Sequence, residues 1–134
     1  MTSIEDIEGI GPAQATKLRE MGISSVEILL EKGGTSKGRD EIAETTGISG
    51  KSILKWVNHA DLFRIKGVAG EYSELLEAAG VDTVPELAQR SPANLHKKLV
   101  EVNEAKKLTR RVPTENQVTT WVAEAKTLER KVSY

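Results

Sequence analysis

Cysteine is absent from this 134-residue chain, which removes disulfides, thiolate metal sites and cysteine nucleophiles, and leaves no call for an oxidising compartment. No apolar run approaches the roughly 20 residues that a bilayer span needs. The opening Met1-Thr2-Ser3-Ile4-Glu5-Asp6 is acidic and lacks an apolar stretch, so it does not read as a signal peptide. No membrane role is expected, and the expected location is cytoplasmic. Aromatic residues make up only 4% against 38% hydrophobic overall, so any core must be aliphatic. Charge of one sign is lacking as well: 19 basic against 20 acidic side chains give a net charge of −1. A uniformly basic nucleic-acid binder is thereby excluded, and any such role must rest on local geometry. The length suits one compact domain or two very small ones.

What is present reads as all-α. Ser3 can cap a short helix Ile4 to Glu8, and Pro12 suits the first turn of a second helix that Gly22 ends. Ala15, Leu18 and Met21 recur there at helical spacing. Ser24 and Glu27 form a capping-box pattern opening Val26 to Lys32, and Gly33 to Gly38 combines glycine with small polar residues, the strongest loop signal in the chain. A helix Asp40 to Thr46 ends at Gly47, and Ser49 starts a longer one to about Arg64 with Ile53, Trp56, Val57 and Ala60 on one face. No segment alternates with period two, so no sheet is expected.

The second half repeats the first. At an offset of 58, Ile7 matches Ile65, Leu18 matches Leu76, Gly22 matches Gly80, Val26 matches Val84 and Leu29 matches Leu87; at 65, Trp56-Val57 matches Trp121-Val122. The extra residues fall in a lengthened helix, Pro92 to Leu108, capped by Ser91 and striped by Leu95, Leu99, Val102 and Leu108. Thr114 and Gln117 form a second capping box, opening a last helix with Val118, Trp121, Val122, Ala125 and Leu128 inward. The reading is two units of about five short helices, residues 1–64 and 65–134. The helix carrying Trp56 runs straight towards the second unit with no proline or flexible linker between, so rigid packing of the two units is expected.

Catalytic patterns are missing. His59 and His96 lie in different halves without metal-ligand spacing, and read as structural or surface residues. No serine has a Gly-x-Ser-x-Gly context. Ser49-Gly50-Lys51-Ser52 shares the end of a phosphate-binding loop but lacks the upstream glycine and strand. Neither an enzyme, a cofactor nor a metal site is expected.

The informative residues are two turns. Ile4-x-x-Ile7-Glu8-Gly9-Ile10-Gly11-Pro12-x-x-Ala15-x-x-Leu18-x-x-x-Gly22-Ile23 resembles the helix-hairpin-helix motif. Glycine at Gly9 and Gly11 permits positive φ and leaves no Cβ in the way, so backbone N–H groups opening the next helix can approach a phosphate, while Ile10 pins the turn to the core. Thr46 to Leu54, with Gly47, Ser49, Gly50 and Lys51, is similar to the partner hairpin of paired helix-hairpin-helix domains, such as those of recombinases and the bacterial RNA polymerase α subunit. A lysine in that first turn adds a direct phosphate contact to the helix dipole. Both turns could equally serve only as connections between helices.

The second half departs from this pattern. Gly67-Val68-Ala69 lacks the second glycine, Glu71, Glu74 and Glu77 line the following helix, and Val112 to Asn116 has no glycine at all. Glu5, Asp6 and Glu8 crowd the first turn too. Against these stand Lys97, Lys98, Lys106, Lys107, Arg110 and Arg111, among which only Glu101 and Glu104 are acidic. Part of that run could pair along the helix as a solvated face; otherwise it forms an electrostatic footprint.

Asp61 to Val68, Leu75 to Thr83 and Asn94 to Leu108 resemble a bacterial family of small proteins known as a domain of unknown function with helix-hairpin-helix character. The resemblance spans nearly all of the chain. It implies a tandem helix-hairpin-helix, SAM-like fold and brings no activity. The expected function is therefore non-enzymatic contact with nucleic-acid backbone, DNA favoured over RNA, through Gly9, Ile10, Gly11, Gly47, Ser49, Gly50 and Lys51, assisted by Lys106, Lys107, Arg110 and Arg111. The competing expectation is a protein-protein interaction module.

Overall fold

Capping residues and glycines cut the chain into short helices. The computed structural model describes residues 1–134 and contains a 3-10 turn, Ile4–Asp6, and eight helices: α1 Pro12–Glu20, α2 Val26–Gly33, α3 Ser36–Thr46, α4 Gly50–Leu62, α5 Gly70–Ala78, α6 Val84–Ala88, α7 Pro92–Lys106 and α8 Glu115–Ala125. There is no strand, only an isolated bridge between Ser3 and Ser25. None of these helices is long and apolar enough to cross a membrane.

Two compact units divide the chain, Met1–Asp61 with Lys131–Tyr134, and Leu62–Arg130. The last four residues thus return to the first unit, although their sequence position suggested the second. Val132 is buried, Ser133 N–H donates to the Gly34 carbonyl at 2.8 Å, and Arg39 reaches both the Gly33 and Ser133 carbonyls, at 2.9 and 2.6 Å. Arg39 itself is buried, its charge met by those carbonyls and by the Tyr134 ring, 5.8 Å away. The tail is thereby tied down by backbone pairing and one guanidinium.

In the first unit Ile4, Ile7, Leu18, Ile23 and Leu29 are fully buried. The expected capping box at Ser24 does not form, and the N-cap of α2 is Ser25. Ser25 Oγ accepts from Ile28 N–H at 3.1 Å, because Val26 N–H bonds the Thr2 carbonyl and the Ser3–Ser25 bridge fixes the entry to α2. Glu27, freed from capping, accepts from the Thr2 N–H at 2.9 Å. The expected loop Gly33 to Gly38 is almost all helix, with only Gly34 and Thr35 outside. Thr35 Oγ1 caps α3 through Gly38 N–H at 3.0 Å. Gly38 is needed because a Cβ there would collide with the Lys32 carbonyl oxygen. Its glycine serves close approach inside a helix, where a flexible loop was expected.

The core of the second unit gathers Leu62, Leu75, Leu76, Leu95, Leu99 and Trp121, with Tyr72 tilted against Trp121 at 5.3 Å between ring centroids. Thr114 and Gln117 form the expected capping box, with both hydrogen bonds present. Four helices lie here where five were expected, since α4 runs on to Leu62. Backbone hydrogen bonds recur at an offset of 58. Ile7 to Ile4, Ile10 to Ile7 and Ile23 to Leu18 in the first unit correspond to Ile65 to Leu62, Val68 to Ile65 and Val81 to Leu76 in the second.

Candidate nucleic-acid interface

The first turn shows which of its two glycines the backbone requires. Gly9 has φ +96°, and a Cβ on it would lie 3.3 Å from Trp56 Nε1. Both the conformation and the neighbouring indole therefore demand glycine. Gly11 is the N-cap of α1 with φ −85° and ψ 178°, extended values open to any residue, and no side chain caps the helix there. A Cβ on Gly11 would meet only Gln14 Oε1, at 3.2 Å. Ile10 is buried, anchoring the turn. The first-turn amides of Ala13 and Gln14 have no intrahelical acceptor, since the α1 ladder begins with Ala15 N–H to the Gly11 carbonyl. Asp6 and Glu8, which precede the turn, are exposed, while Glu5 pairs with Arg19 at 3.2 Å. That exposed pair neutralises little.

The second turn is more open and more basic. Gly47 closes α3 in the left-handed conformation, φ 74°, with its N–H on the Ala43 carbonyl. Ser49 Oγ accepts from Ser52 N–H at 3.2 Å, so this hydroxyl shapes the turn and caps α4. The amides of Gly50 and Lys51 remain in the first turn ahead of that bond. Nothing lies within 4 Å of where a Cβ on Gly50 would stand. Lys51 is exposed and makes no ion pair. Both turns belong to the same unit, and Gly9 rests on Trp56, five residues or roughly 7.5 Å along α4 from Lys51.

In the second unit Gly67 has φ +89°, and a Cβ on it would lie 3.5 Å from Trp121 Nε1, repeating the relation of Gly9 to Trp56. Ala69 occupies the N-cap of α5 with φ −128°, which explains how the second glycine can be lost without altering the turn. This turn is already served by the chain's own carboxylates. Glu124 Oε1 accepts from the Lys66 N–H at 3.1 Å, and Glu71, in the first turn of α5, lies 3.9 Å from Arg110 Nε. Lys97, Lys98, Lys106, Lys107, Arg110 and Arg111 are all exposed.

Three features escaped sequence reasoning. Asn103 holds Thr109 by both backbone groups, accepting from its N–H at 2.9 Å and donating to its carbonyl at 3.1 Å. Lys107 takes a left-handed conformation, φ 51°, as the C-cap of α7. Asn58, His59 and Asp61 lie buried in α4, where residues 56–62 are buried without a break. The first two are settled by loop geometry within six residues that no motif spells out, and the third by the burial of every face of α4 over residues 56–62. No cluster of three histidine, aspartate or glutamate side chains is placed to hold a metal ion.

A family model described as a domain of unknown function, DUF4332, matches residues 8–128. No curated protein and no solved structure matches the chain.

Proposed function

The chain belongs to the DUF4332 family, and we propose that it is a tandem of helix-hairpin-helix units, non-enzymatic, that holds nucleic-acid backbone, DNA in preference to RNA, without reading sequence. The observation that carries this reading is the turn opening α4. Gly50 presents backbone with open space around it, and Lys51 beside it carries an unpaired charge. A phosphate seated there would take the Gly50 and Lys51 N–H groups, the positive end of a 13-residue helix and the lysine ammonium together. Such contacts position a duplex without distinguishing bases. Gly9, Ile10 and Gly11 would offer the adjacent backbone contact, and Gly47 and Ser49 hold the second turn in shape. The recurrence of hydrogen bonds at an offset of 58, and of the glycine-tryptophan contact, supports the tandem arrangement.

Exposed Asp6, Glu8 and Glu71 favour a second reading, a module that docks a protein partner. Fluorescence anisotropy with labelled duplex and single-stranded DNA and RNA separates the two. Salt-sensitive binding that falls at least about tenfold in Lys51→Glu is expected. Absence of binding at low salt would leave the protein-partner reading.

A further inference from the structure

Exposed lysines normally sit on mobile chain, but the loop between α7 and α8 is braced from within. Asn103 grips the Thr109 backbone on both sides, Thr109 Oγ1 donates to the Arg111 carbonyl at 3.0 Å, and Lys107 N–H bonds the Asn103 carbonyl at 2.8 Å. Thr109 is buried beneath the loop while Lys106, Lys107, Arg110 and Arg111 stand exposed. The chain also places lysine, where glycine is the usual occupant, in the left-handed cap at Lys107, the single non-glycine residue with positive φ. Glycine would end the helix at less conformational cost; lysine adds a cation beside Lys106. Lys106, Lys107 and Arg111 make no ion pair, and Arg110, with its side chain 94% exposed, has only Glu71 at 3.9 Å.

We propose that this loop is a second, preformed contact for a phosphodiester backbone, with Asn103 as a positioning residue and Glu71 as an internal competitor for its cations. This rests on the nucleic-acid reading above and gives the second unit its part in it. The second unit's own turn offers little to a phosphate, since Glu71 and Glu124 already occupy its surroundings. The loop supplies the cations that this turn lacks. Because the hydrogen bonds order the backbone beforehand, binding has less conformational entropy to lose than a free lysine-rich segment would. Lysine and arginine heads remain mobile enough to follow a backbone of any sequence.

The test is anisotropy of the full chain with a labelled DNA duplex across a series of salt concentrations. Lys107→Gln with Arg111→Gln should reduce the slope of log affinity against log salt by about 1.8, the release expected for two lost phosphate contacts. Asn103→Ala, which removes no charge, should weaken binding at each salt concentration while the slope falls as the loop loosens. Glu71→Gln should strengthen binding about two- to fivefold, the range of an exposed ion pair released. An unchanged slope in the double variant overturns the proposal, even where Lys51→Glu abolishes binding and so sustains the hairpin reading. The converse pattern, loop variants weak and Lys51→Glu unaffected, sustains this proposal and removes the first turns. No binding by the unaltered chain overturns both. Should Asn103→Ala fail to fold, the double variant and Glu71→Gln, all at exposed positions, still decide.

Discussion

Alanine at Gly9 and alanine at Gly11, two residues apart in one turn, should have opposite effects on stability. An L-residue forced into the left-handed region loses roughly 1–2 kcal/mol. At Gly9, φ +96°, that cost is joined by a Cβ standing 3.3 Å from Trp56 Nε1, and Trp56 is itself buried and held by its neighbours. The indole must give by a few tenths of an ångström, so the total should be about 2–3 kcal/mol. At Gly11 the backbone is extended and the near neighbour is the free end of Gln14. Gly11→Ala should therefore be neutral or stabilise by about 0.4–1 kcal/mol, through the lost freedom of the unfolded chain. Urea unfolding followed by tryptophan fluorescence measures both, with Gly67→Ala, φ +89° beside Trp121, expected to follow Gly9→Ala. Equal costs at Gly9 and Gly11, or a harmless Gly9→Ala, would refute this account of the turn. Gly11→Ala then becomes a folded probe of function: if a phosphate approaches that backbone, it should weaken nucleic-acid binding without lowering stability.

Gly38→Ala should destabilise by about 2–3 kcal/mol, although alanine is ordinarily the better helix former by about 1 kcal/mol, because the added carbon would strike the Lys32 carbonyl; a thermal melt reads the sign directly. Glu27 gives a pH prediction. Burial raises its carboxyl, but hydrogen bonds from the Thr2 N–H, its own N–H and the Thr2 side chain, together with the charge of the N-terminus, outweigh that in sum and hold it below the ordinary glutamate range. Its stabilisation is thus complete above about pH 4.3 and lost as pH falls through the lowered folded value. Because the group is mostly solvated, the contribution should stay under about 1 kcal/mol. Glu27→Gln should flatten the acid limb of the stability profile, with little change at neutral pH beyond the weakened Thr2 hydrogen bond.

Where a helix is set by adjacent residues, the sequence was sufficient: Pro12, Gly47, Pro92 and the Thr114–Gln117 box mark their ends where the structure has them. It failed where distant chain intervenes. Ser24 was as good a cap as Ser25 until the bridge from Ser3 chose between them. Gly33 to Gly38 looked like loop because glycine for flexibility and glycine for close approach are spelled alike. The tail at Val132 and Ser133 has no pattern of its own and is placed by Arg39 and Gly34. Within the candidate site, Gly9 and Lys51 could be picked out by motif and charge, whereas the bracing of the basic loop by Asn103 needed the folded chain.

The most direct measurement is the amide spectrum of the ¹⁵N-labelled protein titrated with a short DNA duplex at low salt. The account predicts that the Gly50 and Lys51 amides move first and furthest, joined by Ala13 and Gln14 at the head of α1, and that added salt reverses the shifts. Binding that leaves those amides unmoved, or a spectrum that does not respond to DNA at all, would contradict it.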